Sequence, residues 1–132
     1  MNVSLVAVAT SFVRAIGRQD ADALAELMTA DHRFIDSLGN MVEGREKMRA
    51  GWISYFRMVP DYTLAVDETY SEGPVVLLLG MAQGTYASDG TLKQRDRWQT
   101  PVVIRAFVQD GKVAEWRVYA DNEPLRQLMS KS

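Results

Sequence analysis

Asp36 stands among Phe34, Ile35 and Leu38, and a carboxylate with apolar neighbours is suited to general-base chemistry. Desolvation raises a carboxyl pKa toward the useful range, and a positioned base contributes about 10²–10⁴-fold to a rate. The same residue opens Asp36-Ser37-Leu38-Gly39, and aspartate favours the first position of a type I turn, so a purely structural role competes. Asp121 is the second candidate base. It directly precedes Asn122-Glu123-Pro124, where an aspartate also serves to cap a helix. Arg95, Arg97, Gln99 and Arg105 alternate along one stretch, with Asp96 between two of them. Arginines in such a row can anchor a carboxylate or hold an enolate. The alternative is the wet or dimer-facing side of an antiparallel sheet.

His32 is the one histidine, and it opens a strand after Ala30-Asp31, where exposure is expected. With no cysteine and no second histidine, it cannot build a usual transition-metal site. A Ser-His-Asp arrangement has no support either, since it would rest on that single histidine. Trp52, Tyr55, Phe56, Met58, Met81, Tyr86, Trp98 and Trp116 are large and adaptable enough to line a pocket, although core packing explains the same residues.

The elements that must position these groups follow from periodicity. Leu5, Val8, Ala9, Phe12, Val13 and Ile16 recur at helical spacing, and Gly17 closes the segment. Asp20 caps a second helix carrying Leu24, Leu27 and Met28 on one face. A short strand over 32–36 runs into the turn Asp36-Ser37-Leu38-Gly39-Asn40. A third helix spans 45–58, and Pro60 stops it. Alternation of Tyr62, Leu64 and Val66 starts the strand half. A run over 75–87 follows, in which Gly80 and Gly84 predict bulges or curvature. Asp89-Gly90 is a hairpin signal. The strand over 92–109 is too long to stay flat, so Pro101 is expected to bend it. Asp110-Gly111 turns into the last strand, 112–120, and a short terminal helix carries Leu125, Leu128 and Met129. The class is α+β: helices over the concave face of a strongly curved antiparallel sheet.

Length and charge bound the function. One domain is expected over 1–132, large enough to bury roughly 68% of its unfolded surface without disulfides. The 15 Lys and Arg against 17 Asp and Glu leave a net charge of −2, unlike a nucleic-acid binder. No stretch approaches the ~20 apolar residues of a membrane span. The absence of cysteine fits a cytoplasmic setting. Residues 3–13 contain Ala7-Val8-Ala9, but a secretory leader would carry basic residues where only Met1-Asn2 stands, and the helix explains the stretch better.

Three stretches carry a resemblance to the nuclear transport factor 2 superfamily, which has a cone-shaped fold and includes ketosteroid isomerases, SnoaL-like polyketide cyclases and limonene epoxide hydrolases. They are Phe12-Val13-Arg14-Ala15-Ile16 with Asp20-Ala21-Asp22-Ala23-Leu24; Leu27-Met28 through Ile35-Asp36-Ser37-Leu38-Gly39 to Glu43-Gly44; and Asp110-Gly111-Lys112-Val113-Ala114-Glu115-Trp116-Arg117 to Tyr119-Ala120-Asp121. The resemblance puts Asp36 at the isomerase general base, Phe12 where that enzyme has its oxyanion-hole tyrosine, and Arg105 at or beside its second donor. An isomerase proper is therefore rejected. The hydrolase ending Trp116-Arg117-x-Tyr119-x-Asp121 is present, but Leu78-Leu79-Gly80-Met81-Ala82 lacks its arginine and aspartate. SnoaL-like cyclases use an aspartate near the end of the last strand, and Asp121 is the nearest match.

The resemblance thus implies a protein that binds a small hydrophobic molecule, with Phe12, Trp52, Phe56, Tyr86, Trp98, Arg105 and Trp116 as candidate ligand contacts. Its catalytic form would abstract a proton next to a ketone with Asp36 or Asp121, without metal or cofactor. Tyr86 or Trp98 would hold the developing oxyanion. The alternative is a non-catalytic ligand-binding or dimerisation module. A homodimer through the convex sheet face is expected.

Overall fold

A computed structural model describes residues 4–130 of the chain. Met1-Asn2, on which the leader question turned, lie outside that range.

Helix α1, Leu5–Gly17, starts at Ser4, whose hydroxyl accepts from the Ala7 amide at 3.3 Å. Helix α2, Ala21–Glu26, is capped by Asp20, whose carboxylate accepts from the Ala23 amide at 3.0 Å. The chain then enters β1, Met28–Ile35, four residues earlier than expected. Leu27 closes α2 and Met28 already belongs to the strand, because sheet pairing outcompetes a further helical turn. The Leu27 carbonyl accepts from the Val113 amide at 2.7 Å, and Met28 pairs with Val113. Next come β2 (Met41–Glu43), α3 (Arg45–Met58), β3 (Thr63–Glu72), β4 (Val75–Thr85), β5 (Arg97–Gln109), β6 (Lys112–Ala120) and α4 (Glu123–Ser130). Strand β2 has only three residues, all exposed, and no alternation marks it in the sequence.

The six strands form one curled, unclosed sheet in the order β2-β1-β6-β5-β4-β3. Its pairings are antiparallel except β1 with β6, so the sheet is mixed where a purely antiparallel one was expected. The parallel pair arises because β1 and β6 are distant in sequence and joined through the whole intervening meander.

Two expected distortions lie elsewhere than predicted. Pro101 sits in unbroken pairing opposite Met81, on the exposed side of β5. The register shift of β5 with β6 falls instead between Phe107 and Val108. Near Gly80 the extra residue lies across from it, in β3 between Val66 and Glu68. Gly80 answers that bulge: a Cβ there would come within 1.9 Å of the Ala65 carbonyl oxygen. Asp89-Gly90 lies in a longer connection between β4 and β5, whereas Asp110 (φ 54°) and Gly111 (φ 74°) make a two-residue hairpin.

Alternation along β5 separates the two faces. Trp98, Thr100, Val102, Ile104, Ala106 and Val108 are buried, and the residues between them are exposed or half-buried. The buried face meets Phe12 and Ile16 of α1 and Met48, Trp52 and Phe56 of α3 in one core cluster.

Candidate functional site

Between α3 and the β1–β6 end of the sheet the packing leaves a cavity of about 340 Å³. That is within the range of small-molecule sites, about 300–1,000 Å³. Helix α3 contributes Met48, Gly51, Trp52 and Tyr55, one face at i, i+3, i+4 and i+7. Strand β6 contributes Trp116 and Val118, two apart as a strand face requires, while β1 and β2 contribute the paired residues Phe34 and Val42. Tyr62, Asp36, Ser37 and Asn122 complete the wall.

Aromatic edges hold these side chains in place. Trp52 meets Phe34 edge-on at 5.9 Å and Tyr55 at 6.2 Å, and Tyr55 meets Tyr62 perpendicularly at 4.9 Å. Tyr62 is fixed from behind. Its carbonyl accepts from the Gln19 side chain, through Nε2, at 2.9 Å, and the carboxylate of the preceding Asp61 accepts from both the backbone amide and the hydroxyl of Thr85 at 2.7 and 2.8 Å.

The polar groups on this wall are few. Tyr55 and Tyr62 bring two phenols to it, and the Trp52 indole N–H is buried with no hydrogen-bond partner among the described residues. Burial pushes both phenol pKa values up, and for Tyr55 the neighbouring Tyr62 adds to it, so both stay protonated donors. Among the described residues, Asp36 is the only carboxylate on the wall. Its Oδ1 accepts from the Leu38 and Asn40 amides, each at 2.9 Å, and its Oδ2 from the Asn40 side chain at 3.3 Å. The turn role anticipated for Asp36 is therefore real, yet a carboxylate offers about four acceptor positions, and one on Oδ2 remains open. Ser37 accepts from Asn122 at 2.6 Å, joining the β1–β2 turn to the start of α4.

The other candidates lie elsewhere. Asp121 is exposed and accepts from the Glu123 amide at 2.9 Å. It stands one residue ahead of the helix cap, since it is the Asn122 carbonyl that accepts the first helical bond, from the Arg126 amide. It does not border the cavity. Of the seven candidate ligand contacts, Trp52 and Trp116 border it. Phe12 and Phe56 form the layer behind: Phe12 stacks on Trp116 at 4.3 Å, and Phe56 leans on Trp52 at 5.4 Å. Trp98 is buried 6.1 Å from Tyr62, its N–H without a partner. Tyr86 is half-buried on the β4–β5 connection, where its amide donates to the Asp96 carbonyl. Arg105 is on the outer face of the sheet, paired with Glu115 at 3.0 Å. Arg97 and Gln99 share that face and are exposed, and Arg95 is in a short 3₁₀ turn before β5.

His32 corrects an expectation. It is fully buried rather than exposed, because the irregularity of β1 between Met28 and Arg33 leaves it facing the core, where it stacks against Phe12 at 6.0 Å. Its Nδ1 donates to the Val113 carbonyl at 2.7 Å, and Nε2 is buried without a partner. Tyr62 and Asn122 were not singled out as site residues. Tyr62 looks like the first residue of an alternating strand, and only its packing against Tyr55 and Trp52 of α3 brings it to the wall. Among the described residues no three His, Cys, Asp or Glu side chains gather as a metal site, and no helix is long and apolar enough to cross a membrane.

Solved structures match this chain over most of its length. A protein assigned as a SnoaL-like polyketide cyclase, from Jannaschia sp. CCS1, aligns at 21% identity over 100% of this chain and 99% of its own, with a TM-score of 0.82. AclR, assigned as a hydroxylase, from Streptomyces galilaeus, aligns at 22% identity over 97% and 82%, with a TM-score of 0.77. A protein with a ketosteroid isomerase-like fold from Catenulispora acidiphila, in complex with trimethylamine, aligns at 18% identity over 85% and 83%, with a TM-score of 0.74. At these identities the likeness shows the fold alone. No curated protein matches the sequence. Residues 9–116 match the model of the SnoaL-like domain, and the chain belongs to that family.

Proposed function

We propose that the cavity binds a small, largely apolar ketone and that Asp36 removes a proton from the carbon beside its carbonyl. One observation carries this reading: the one carboxylate that the described residues place on the aromatic wall keeps an open acceptor position, and the same wall bears a buried indole N–H without a partner, beside two protonated phenols. In the step, Asp36 Oδ2 takes the proton and the C–H electron pair moves into a C=C bond. The carbonyl oxygen gains the negative charge. The Tyr55 and Tyr62 hydroxyls and the Trp52 N–H donate to that oxygen, the role first given to Tyr86 or Trp98. Return of the proton to another carbon would make an isomerase, and attack of the enolate carbon on a second carbonyl would make a cyclase.

Solvent-deuterium exchange into an aromatic methyl ketone, followed by NMR, tests it. Asp36→Asn is expected to lower the catalysed exchange by about 10²–10⁴-fold while the ketone still binds. The three acceptor positions that Asp36 spends on its own turn favour the alternative, a non-catalytic binding module. Exchange that is equal in wild type and Asp36→Asn, with binding intact, would establish that alternative.

A further inference from the structure

Cross-strand pairing collects three arginines on the outer face of the sheet, far in function from the cavity. Arg33 of β1 pairs with Glu115 of β6, and Arg105 of β5 pairs with Arg117 of β6. Glu115 serves two of them: Oε1 accepts from Arg33 Nε at 3.2 Å and Oε2 from Arg105 Nη1 at 3.0 Å. Arg117 has no acidic partner among the described residues, and its Nε is buried without a hydrogen bond. Its guanidinium carbon lies 5.2 Å over the Tyr119 ring.

This arrangement is costly. Like charges directly opposite one another destabilise an antiparallel pair. Here they are also partly desolvated, since the residues paired with them on either side are Leu77 and Ile35. Three guanidinium groups stand with one carboxylate that engages two of them, which leaves an excess charge of +2 on a half-buried patch and Arg117 without a counter-ion.

We propose that Arg117 and Arg105 form a binding site for a small organic carboxylate. Glu115 already shows how a carboxylate sits in this cluster. The planar fork of Arg117 matches a second one with two parallel N–H donors. The Tyr119 ring and the apolar side chains beside the arginines favour an acid with an aromatic or aliphatic body over a strongly hydrated ion such as inorganic phosphate.

Benzoate is the probe, titrated at constant ionic strength against chloride while the arginine Nε–H signals are followed by NMR. Those signals report this face and not the cavity. The Arg117 signal is expected to move and saturate with benzoate and to stay still with chloride. Arg117→Gln should weaken the binding about tenfold or more, the effect of losing a charged hydrogen-bond pair. Arg117→Lys should give an intermediate loss, and Arg97→Gln, an exposed arginine outside the cluster, none. Equal responses to benzoate and chloride, or saturable binding that survives in Arg117→Gln, would overturn the proposal. So would an Arg117 signal that moves with protein concentration and responds to benzoate only on dilution. That result would assign the site to a carboxylate of a second copy, in the homodimer that the family resemblance implies.

Discussion

His32 is the chain's one histidine and is fully buried, so it offers a clean reading of pH. Burial is the largest influence and lowers its pKa from 6.5, Arg33 acts the same way, and the bond to Val113 together with Glu115 and Asp31 oppose them. A histidine whose folded pKa lies below its unfolded one binds more protons when unfolded. Its contribution to stability is therefore complete above pH 6.5 and is lost as the pH falls from there toward the folded pKa. Stability to urea should fall between pH 7 and 5 with a slope of at most about 1.4 kcal/mol per pH unit. His32→Gln keeps a donor for the Val113 carbonyl and should flatten that slope. An unchanged slope in the variant would show that the histidine does not set it. At this scale the sequence was legible where a residue's own neighbours decide its role. Asp36 in its turn and Asp121 at the entry to α4 follow from nearby amides. His32 and Tyr62 were not legible, because much of what surrounds them is distant in sequence: Phe12 and Val113 for His32, Gln19 and Trp98 for Tyr62.

Helix α3 illustrates how an element gives up stability to shape a site. Gly51 sits in its interior, where glycine costs about 0.5–1 kcal/mol relative to alanine. Nothing close forbids a side chain: a Cβ would meet only the Met48 methyl and sulfur at 3.7 Å, an ordinary contact. Yet Gly51 borders the cavity. Gly51→Ala is expected to raise unfolding stability by about 0.5–1 kcal/mol and to weaken binding of a bulky ketone. A variant no more stable than wild type would show that the helix is strained there in another way. Most elements were legible from periodicity, α1 and α3 above all, whose apolar faces recur over three turns or more. The short β2, with three exposed residues, carries no such signal, and Pro101 misled because it lies just beyond the end of the β5–β6 ladder at Val102, where β5 is an edge on that side and tolerates a residue without an N–H.

For the whole molecule, the cavity lies where the helical and sheet halves meet, so a bound ligand would bridge α3, β1 and β6. An apolar cavity is a packing deficit until it is filled, and whatever binds only the folded chain stabilises it by mass action. At a ligand concentration one hundred times its dissociation constant the gain is about 2.7 kcal/mol. For a chain of this size that corresponds to a melting temperature raised by roughly 10 °C. A planar aromatic ketone should produce this rise, and a polar polyol of equal size should not, since most of the wall is aromatic or aliphatic. Hydrogen exchange locates the effect. The amides of α3, β1 and β6 should slow together on binding, because one ligand ties all three. A melting temperature raised with protection confined to the outer face, at β5 and β6, would mean that the ketone binds outside the cavity and would remove the basis for the catalytic reading.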